Sequence, residues 1–172
     1  NDSYASKMYD FVKKQYNESL PWETIRDNVY IRYQVEEKDG YDITSRNLKC
    51  NGCFAAGINF AASLISLFAG EGDLKETIKL GSLMGWDSDN PTATWGGLIG
   101  FMIGHHGVEK AFNREFSEEY NIHRTRQNFL NGIDNFSNMA NVGVFITDRV
   151  VQEELGGGVD LENNLWYIPK TI

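Results

Sequence analysis

Asp87 and Asp89 stand two residues apart in the segment Gly85-Trp86-Asp87-Ser88-Asp89-Asn90-Pro91-Thr92. Carboxylates at that spacing in a tight loop can converge on one hard cation through their oxygens. No Cys or His accompanies them, so Mg²⁺ or Ca²⁺ suits the pair better than a soft metal. Asn90 is a favourable N-cap and Pro91 a favourable first helical residue, which predicts a helix start here. The amides of that helix end can orient an anion or a metal-bound water. An EF-hand does not fit. Counted from Asp87, the positions that need an oxygen ligand, a glycine and a glutamate hold Pro91, Thr92 and Leu98. A plainer alternative stays open, in which Asp89 and Asn90 cap the helix and Asp87 is solvated.

The other reactive side chains carry weaker signals. Cys50-Asn51-Gly52-Cys53 is a single C-x-x-C without the strand of a redox motif or two further zinc ligands, and His105, His106 and His123 lie far off in sequence. It reads as two ordinary thiols at a helix start, with a local disulfide left open. His105 and His106 close a glycine-rich helix, where positive charge suits the dipole, and read as structural.

The elements that must position the loop are helices. Met8, Phe11, Val12 and Tyr16 give an amphipathic helix over 3–16; Trp22, Ile25, Val29 and Tyr33 continue the pattern after Pro21. Lys38-Asp39-Gly40 ends that element, and 41–51 is polar and irregular. The helix predicted over 53–69 is apolar nearly all round and should sit centrally. Its stripe of Ala56, Asn59, Ser63 and Ser66 suits close packing of another helix, with a functional lining as the alternative. Gly70 and Gly72 stop it, and Asp73 with Glu76 starts a third helix whose apolar side is Leu74, Ile78 and Leu83. The helix after Pro91 runs to His105 with Gly96, Gly100 and Gly104 four apart. That face is expected to meet another backbone, with 93–104 and 54–69 buried against each other and Gly100→Leu overpacking the contact. Shorter helices are expected over 108–116 and 124–131. A helix rather than a strand is expected over 136–155, with a stop at Gly156 to Gly158 and a short strand or docked segment over 165–169.

Composition bounds the function. The 172 residues suffice for one domain with a core, and a net charge of −8 argues against wrapping nucleic acid or an anionic membrane. The most apolar window, 53–70, contains Asn59, Ser63 and Ser66 and reads as a buried helix rather than a membrane span. The chain begins with neither Met nor a signal-like pattern, so a cleaved product or a piece of a longer chain is expected and compartment is not legible.

From Phe54 to Gly104 the chain resembles the C-terminal metal-binding segment of the ADP-ribosylglycohydrolase family, which includes the dinitrogenase reductase-activating glycohydrolases. The resemblance rests on the apolar Ala61–Ala69 run, Gly70-Glu71-Gly72-Asp73-Leu74, the Gly85-Trp86-Asp87-Ser88-Asp89-Asn90 loop and the small-residue helix Ala93–Gly104. Residues 1–50 and 105–172 match only loosely.

The resemblance implies an all-α fold, an orthogonal multi-helix bundle of that family's type, with 1–172 as the C-terminal portion of one domain. It implies hydrolysis of the glycosidic bond of ADP-ribose or of an ADP-ribosylated substrate. Two Mg²⁺ ions are expected in the complete site, with Mn²⁺ or Ca²⁺ as alternatives. Asp87, Asp89 and Asn90 would be metal ligands, Asn90 standing where the family has a hydroxyl residue. Trp86 and Ser88 would contact substrate, Trp86 having core packing as its alternative. The family's N-terminal Thr-Asp-Asp segment is not found in the sequence, so the remaining ligands are expected from the N-terminal half of the same protein. This fragment alone is expected to be silent. Partners would be an ADP-ribosylated protein or an ADP-ribose-like small molecule, with no nucleic acid and no membrane span. A catalytically inactive, nucleotide-sugar-binding member of the same fold is the alternative.

Overall fold

A computed structural model describes residues 2–42, 52–123, 125–126 and 132–170. It divides into two units, residues 1–114 and 115–172.

In the first unit, Ser3 accepts from the Ser6 amide and opens α1, Tyr4–Asn17, whose Met8, Val12 and Gln15 are buried. Pro21 precedes α2, Trp22–Val29, which runs on into a wider π turn over Tyr30–Val35. There Tyr33 is fully buried and donates its hydroxyl to Asp39, which also receives the Arg32 guanidinium. Burial and that carboxylate push the Tyr33 hydroxyl up to about 12. The bonds hold the turn at Lys38–Gly40, where Asp39 takes a left-handed conformation (φ 64°).

The central element is α3, Ala56–Gly70, with Ile58, Ala61, Ala62 and Ile65 packed against Met8, Val12, Ile25 and Val29. It starts after the expected 53, because residues 52–55 form a turn, closed by the Ala55 amide donating to the Gly52 carbonyl, and Asn59 Nδ2 donates to the carbonyls of Cys53 and Ala55. Cys53 is disulfide-bonded, which corrects the expectation of free thiols; Cys50 lies outside the described residues. At its end, a Cβ on Gly70 would lie 2.8 Å from Thr77 Cα, so only glycine lets the next helix start this close. That helix is α4, Leu74–Leu83, capped as expected by Asp73 accepting from the Glu76 amide at 2.7 Å. Its buried side is Leu74, Thr77, Leu80 and Gly81, whereas Leu83 is 51% exposed. The expected Leu74–Ile78–Leu83 face was one residue out of phase by the last turn.

Helix α5, Asp89–Phe112, departs furthest from expectation. Only Pro91 and Ile99 are buried along it, and Phe101 and Met102 are 84% and 74% exposed. It leans on α4 by one edge and leaves the other uncovered. The four-spaced glycines meet no foreign backbone. Gly96 faces the Ile78 side chain, Gly100 faces Val108 of its own helix, and Gly104 has open space and a left-handed φ of 72° that interrupts the helix. The close approach occurs instead at Gly81, where a Cβ would sit 3.4 Å from the Thr92 amide nitrogen. Contact with α3 is real but polar, through Trp95 Nε1 donating to the Ser63 carbonyl at 2.7 Å. The helix ends at Phe112 with Asn113 left-handed, so 113–116 is not helical.

The second unit holds two antiparallel hairpins, β1 (Glu119–Asn121) with β2 (Ile133–Asn135) and β3 (Gly158–Asp160) with β4 (Leu165–Tyr167). Between them lies α6, Phe136–Arg149, capped by Asn135 and continued by a π turn over Val150–Glu154. The helix over 136–155, the glycine stop and the short strand near the end agree with expectation. The β1–β2 hairpin does not; of the helix expected over 124–131, only residues 125 and 126 are described, and Thr125 lies in a turn. The chain is thus mostly helical, with two small hairpins. Among the described residues no helix is long and apolar enough to cross a membrane.

Candidate functional site

The α4–α5 connection carries the paired carboxylates. Gly85 (φ 84°) and Trp86 (φ 53°) are both left-handed, which turns the chain sharply enough to present Asp87. The turn is closed by Ser88 Oγ donating to the Gly85 carbonyl at 3.0 Å and by the Asn90 amide donating to the Asp87 carbonyl at 3.0 Å. Thr92 Oγ1 donates back to the carbonyls of Ser88 and Asp89. From the core side, buried Asn59 accepts the Asp87 amide on its Oδ1 at 3.2 Å. One amide side chain therefore fastens the carboxylate loop to the start of α3.

Asp87 and Asp89 converge. The Asp89 carboxylate beside it, in hydrogen-bond contact, pushes the Asp87 carboxyl above its ordinary range; partial desolvation adds to this, and the bond from Asn90 opposes it. A carboxyl raised by a neighbouring carboxylate marks a place that a divalent cation can occupy instead of a proton. Asn90 Nδ2 donates to Asp87 Oδ2 at 2.6 Å. Helix α5 begins at Asp89 with Ser88 in the cap position, so Asn90 lies inside the first turn and is not the cap. Asn90 therefore does not cap α5; its Nδ2 binds the Asp87 carboxylate.

Beside Asn90 opens a cleft of about 480 Å³ between α3 and α5. Asn59 and Ser63 form its polar floor, and Phe54, Phe60 and Trp95 its aromatic walls. Of the small polar stripe of α3, Ala56, Asn59 and Ser63 line this cleft, and the Ser63 carbonyl also seats Trp95 of α5.

No family model, curated protein or solved structure matches the chain.

The site therefore rests on its own geometry. The loop brings together Asp87, Asp89 and Asn90. Ser88 is spent on closing the turn. Trp86 is half-buried, packs on the core and lies 6.5 Å from the Tyr30 ring, which is its core-packing alternative; it does not line the cleft. The aromatics that do, Phe54, Phe60 and Trp95, were missed. Trp95 directly precedes the paired glycines 96 and 97, a juxtaposition the sequence does display. The donor set of two carboxylates and an amide fits a hard cation. Among the described residues no third carboxylate, histidine or cysteine joins Asp87 and Asp89.

Proposed function

We propose that this chain carries one side of a metal-dependent glycosidase site of the ADP-ribosylglycohydrolase type, acting on ADP-ribose or an ADP-ribosylated protein. The helical unit is then the C-terminal portion of an orthogonal bundle of that type. One observation carries the reading: Asp89 meets Asp87 and raises its carboxyl, in a loop whose Asn90 lines an aromatic cleft. Asp87 and Asp89 would hold Mg²⁺, and the chemistry the ion supplies is polarisation of the ribose hydroxyls and of water. The chain's own residues do the rest. Asn59 holds the Asp87 backbone and Asn90 the Asp87 carboxylate in advance, which limits the reorganisation needed on binding. Phe54, Phe60 and Trp95 offer faces against which a flat ring can stack while water is excluded. Two carboxylates leave a six-coordinate ion largely hydrated, so the remaining ligands are assigned to the N-terminal half of the same protein.

The test is release of ADP-ribose from a modified protein by the full-length protein. Release that requires Mg²⁺ and is abolished by Asp87→Ala, with residues 1–172 silent by themselves, supports the reading. Tight binding of ADP-ribose without release favours the inactive, ligand-binding alternative. Magnesium-independent release sinks the reading.

A further inference from the structure

We propose that His105, His106 and Glu109 form a second cation site, at the break in α5, that takes a borderline divalent transition ion such as Zn²⁺. Gly104 (φ 72°, ψ 173°) interrupts the helix, and the two histidines open the segment that follows. Glu109 lies four and three residues further on, the spacings that bring helical side chains together on one face. His105 Nε2 stands 3.2 Å from Glu109 Oε1, and His106 Nδ1 stands 3.4 Å from Glu109 Oε2. The ligand atoms of all three residues lie within 4.8 Å of one another. Zinc bonds of about 2.0–2.2 Å at the tetrahedral angle separate neighbouring ligand atoms by about 3.3–3.6 Å, close to both imidazole–carboxylate separations.

The donor chemistry separates this site from the Asp87–Asp89 loop. Two imidazoles and one carboxylate suit zinc, cobalt, nickel or copper, whereas Mg²⁺ and Ca²⁺ prefer oxygen alone. The side chains are 50%, 98% and 23% exposed, so a cation in solution can reach the cluster. An ordinary ion pair between a protonated imidazole and Glu109 would use the same short distances. The two differ in what zinc does to them.

The chain contains three histidines, and His123 lies outside the cluster, so it serves as an internal control. Zn²⁺ titrated into residues 1–172 in excess Mg²⁺, which occupies the Asp87–Asp89 loop, is expected to bind at one ion per chain. In wild-type protein it is expected to shift the imidazole proton resonances of His105 and His106 and leave those of His123 unmoved. His105→Ala or His106→Ala is expected to weaken binding by about tenfold or more, given that even indirect supports of a metal cost about that much. Asp87→Ala is expected to leave zinc affinity unchanged, and excess Mg²⁺ not to displace the ion. Absence of saturable zinc binding, or shifts confined to His123, would overturn the proposal and leave an ion pair only. Equal zinc affinity in the His105→Ala/His106→Ala double variant would do the same.

Discussion

The Asn59 side chain joins the start of α3 to the carboxylate loop: its Oδ1 accepts the Asp87 amide at 3.2 Å while its Nδ2 donates to Cys53 and Ala55. Replacing Asn59 by Leu leaves one amide and two carbonyls without that partner. The expected cost is about 1–3 kcal/mol in urea denaturation, the range for stranding buried polar groups. A divalent-ion response weakened in the same variant would show that the bond also orders the loop. A neutral melt would remove Asn59 from this role.

The glycines of α5 should behave differently from one another. Gly97 is exposed, helical and has open space where a Cβ would stand, so Gly97→Ala is expected to stabilise by about 0.5–1 kcal/mol. Gly100→Leu is expected to change stability by only about 0.5 kcal/mol either way, because its nearest neighbour is the Val108 side chain at 3.5 Å. Gly104→Ala is expected to destabilise by about 1–2 kcal/mol, the cost of a Cβ in the left-handed region it occupies. Thermal melts of the three variants check the order.

Asp87 should make metal-free stability depend on pH in an unusual direction. Its carboxyl is raised by Asp89, so the folded chain holds a proton that the unfolded chain has already lost. Stability from this group is therefore present below the ordinary carboxylate range and lost as pH rises through the raised value. Asp87→Asn removes the repulsion. Without metal it is expected to melt no lower than wild type at neutral pH, with the relative advantage shrinking in acid. Melting curves from below the ordinary carboxylate range up to neutrality would show it; a variant that loses stability relative to wild type as pH rises would contradict the assignment.

Much of this was legible in the sequence, for physical reasons. The helix 56–70 announces itself by apolar residues on every face, and Asp73, Gly70 and Gly156 by the backbone positions they suit. The convergence of Asp87 and Asp89 was readable from their spacing. The burial of α5 was not, because glycine at every fourth position describes both a packed face and a bare one. Gly81, the glycine that does admit α5, stands alone in α4 and has no pattern to mark it. Asn59 was visible only as part of a small polar stripe, since a residue 28 positions from Asp87 gives no local sign of bonding it. The β1–β2 hairpin has strands of three residues, too short for an alternating pattern to register.

Binding of Mn²⁺ as a paramagnetic stand-in for Mg²⁺ tests the centre of the account, through the amide resonances of residues 1–172. The amides of Asp87, Ser88 and Asp89 are expected to broaden at low Mn²⁺, to recover on adding excess Mg²⁺, and to be unaffected in Asp87→Ala. Broadening of those amides that persists in Asp87→Ala, or that appears only around His105 and Glu109, would contradict it.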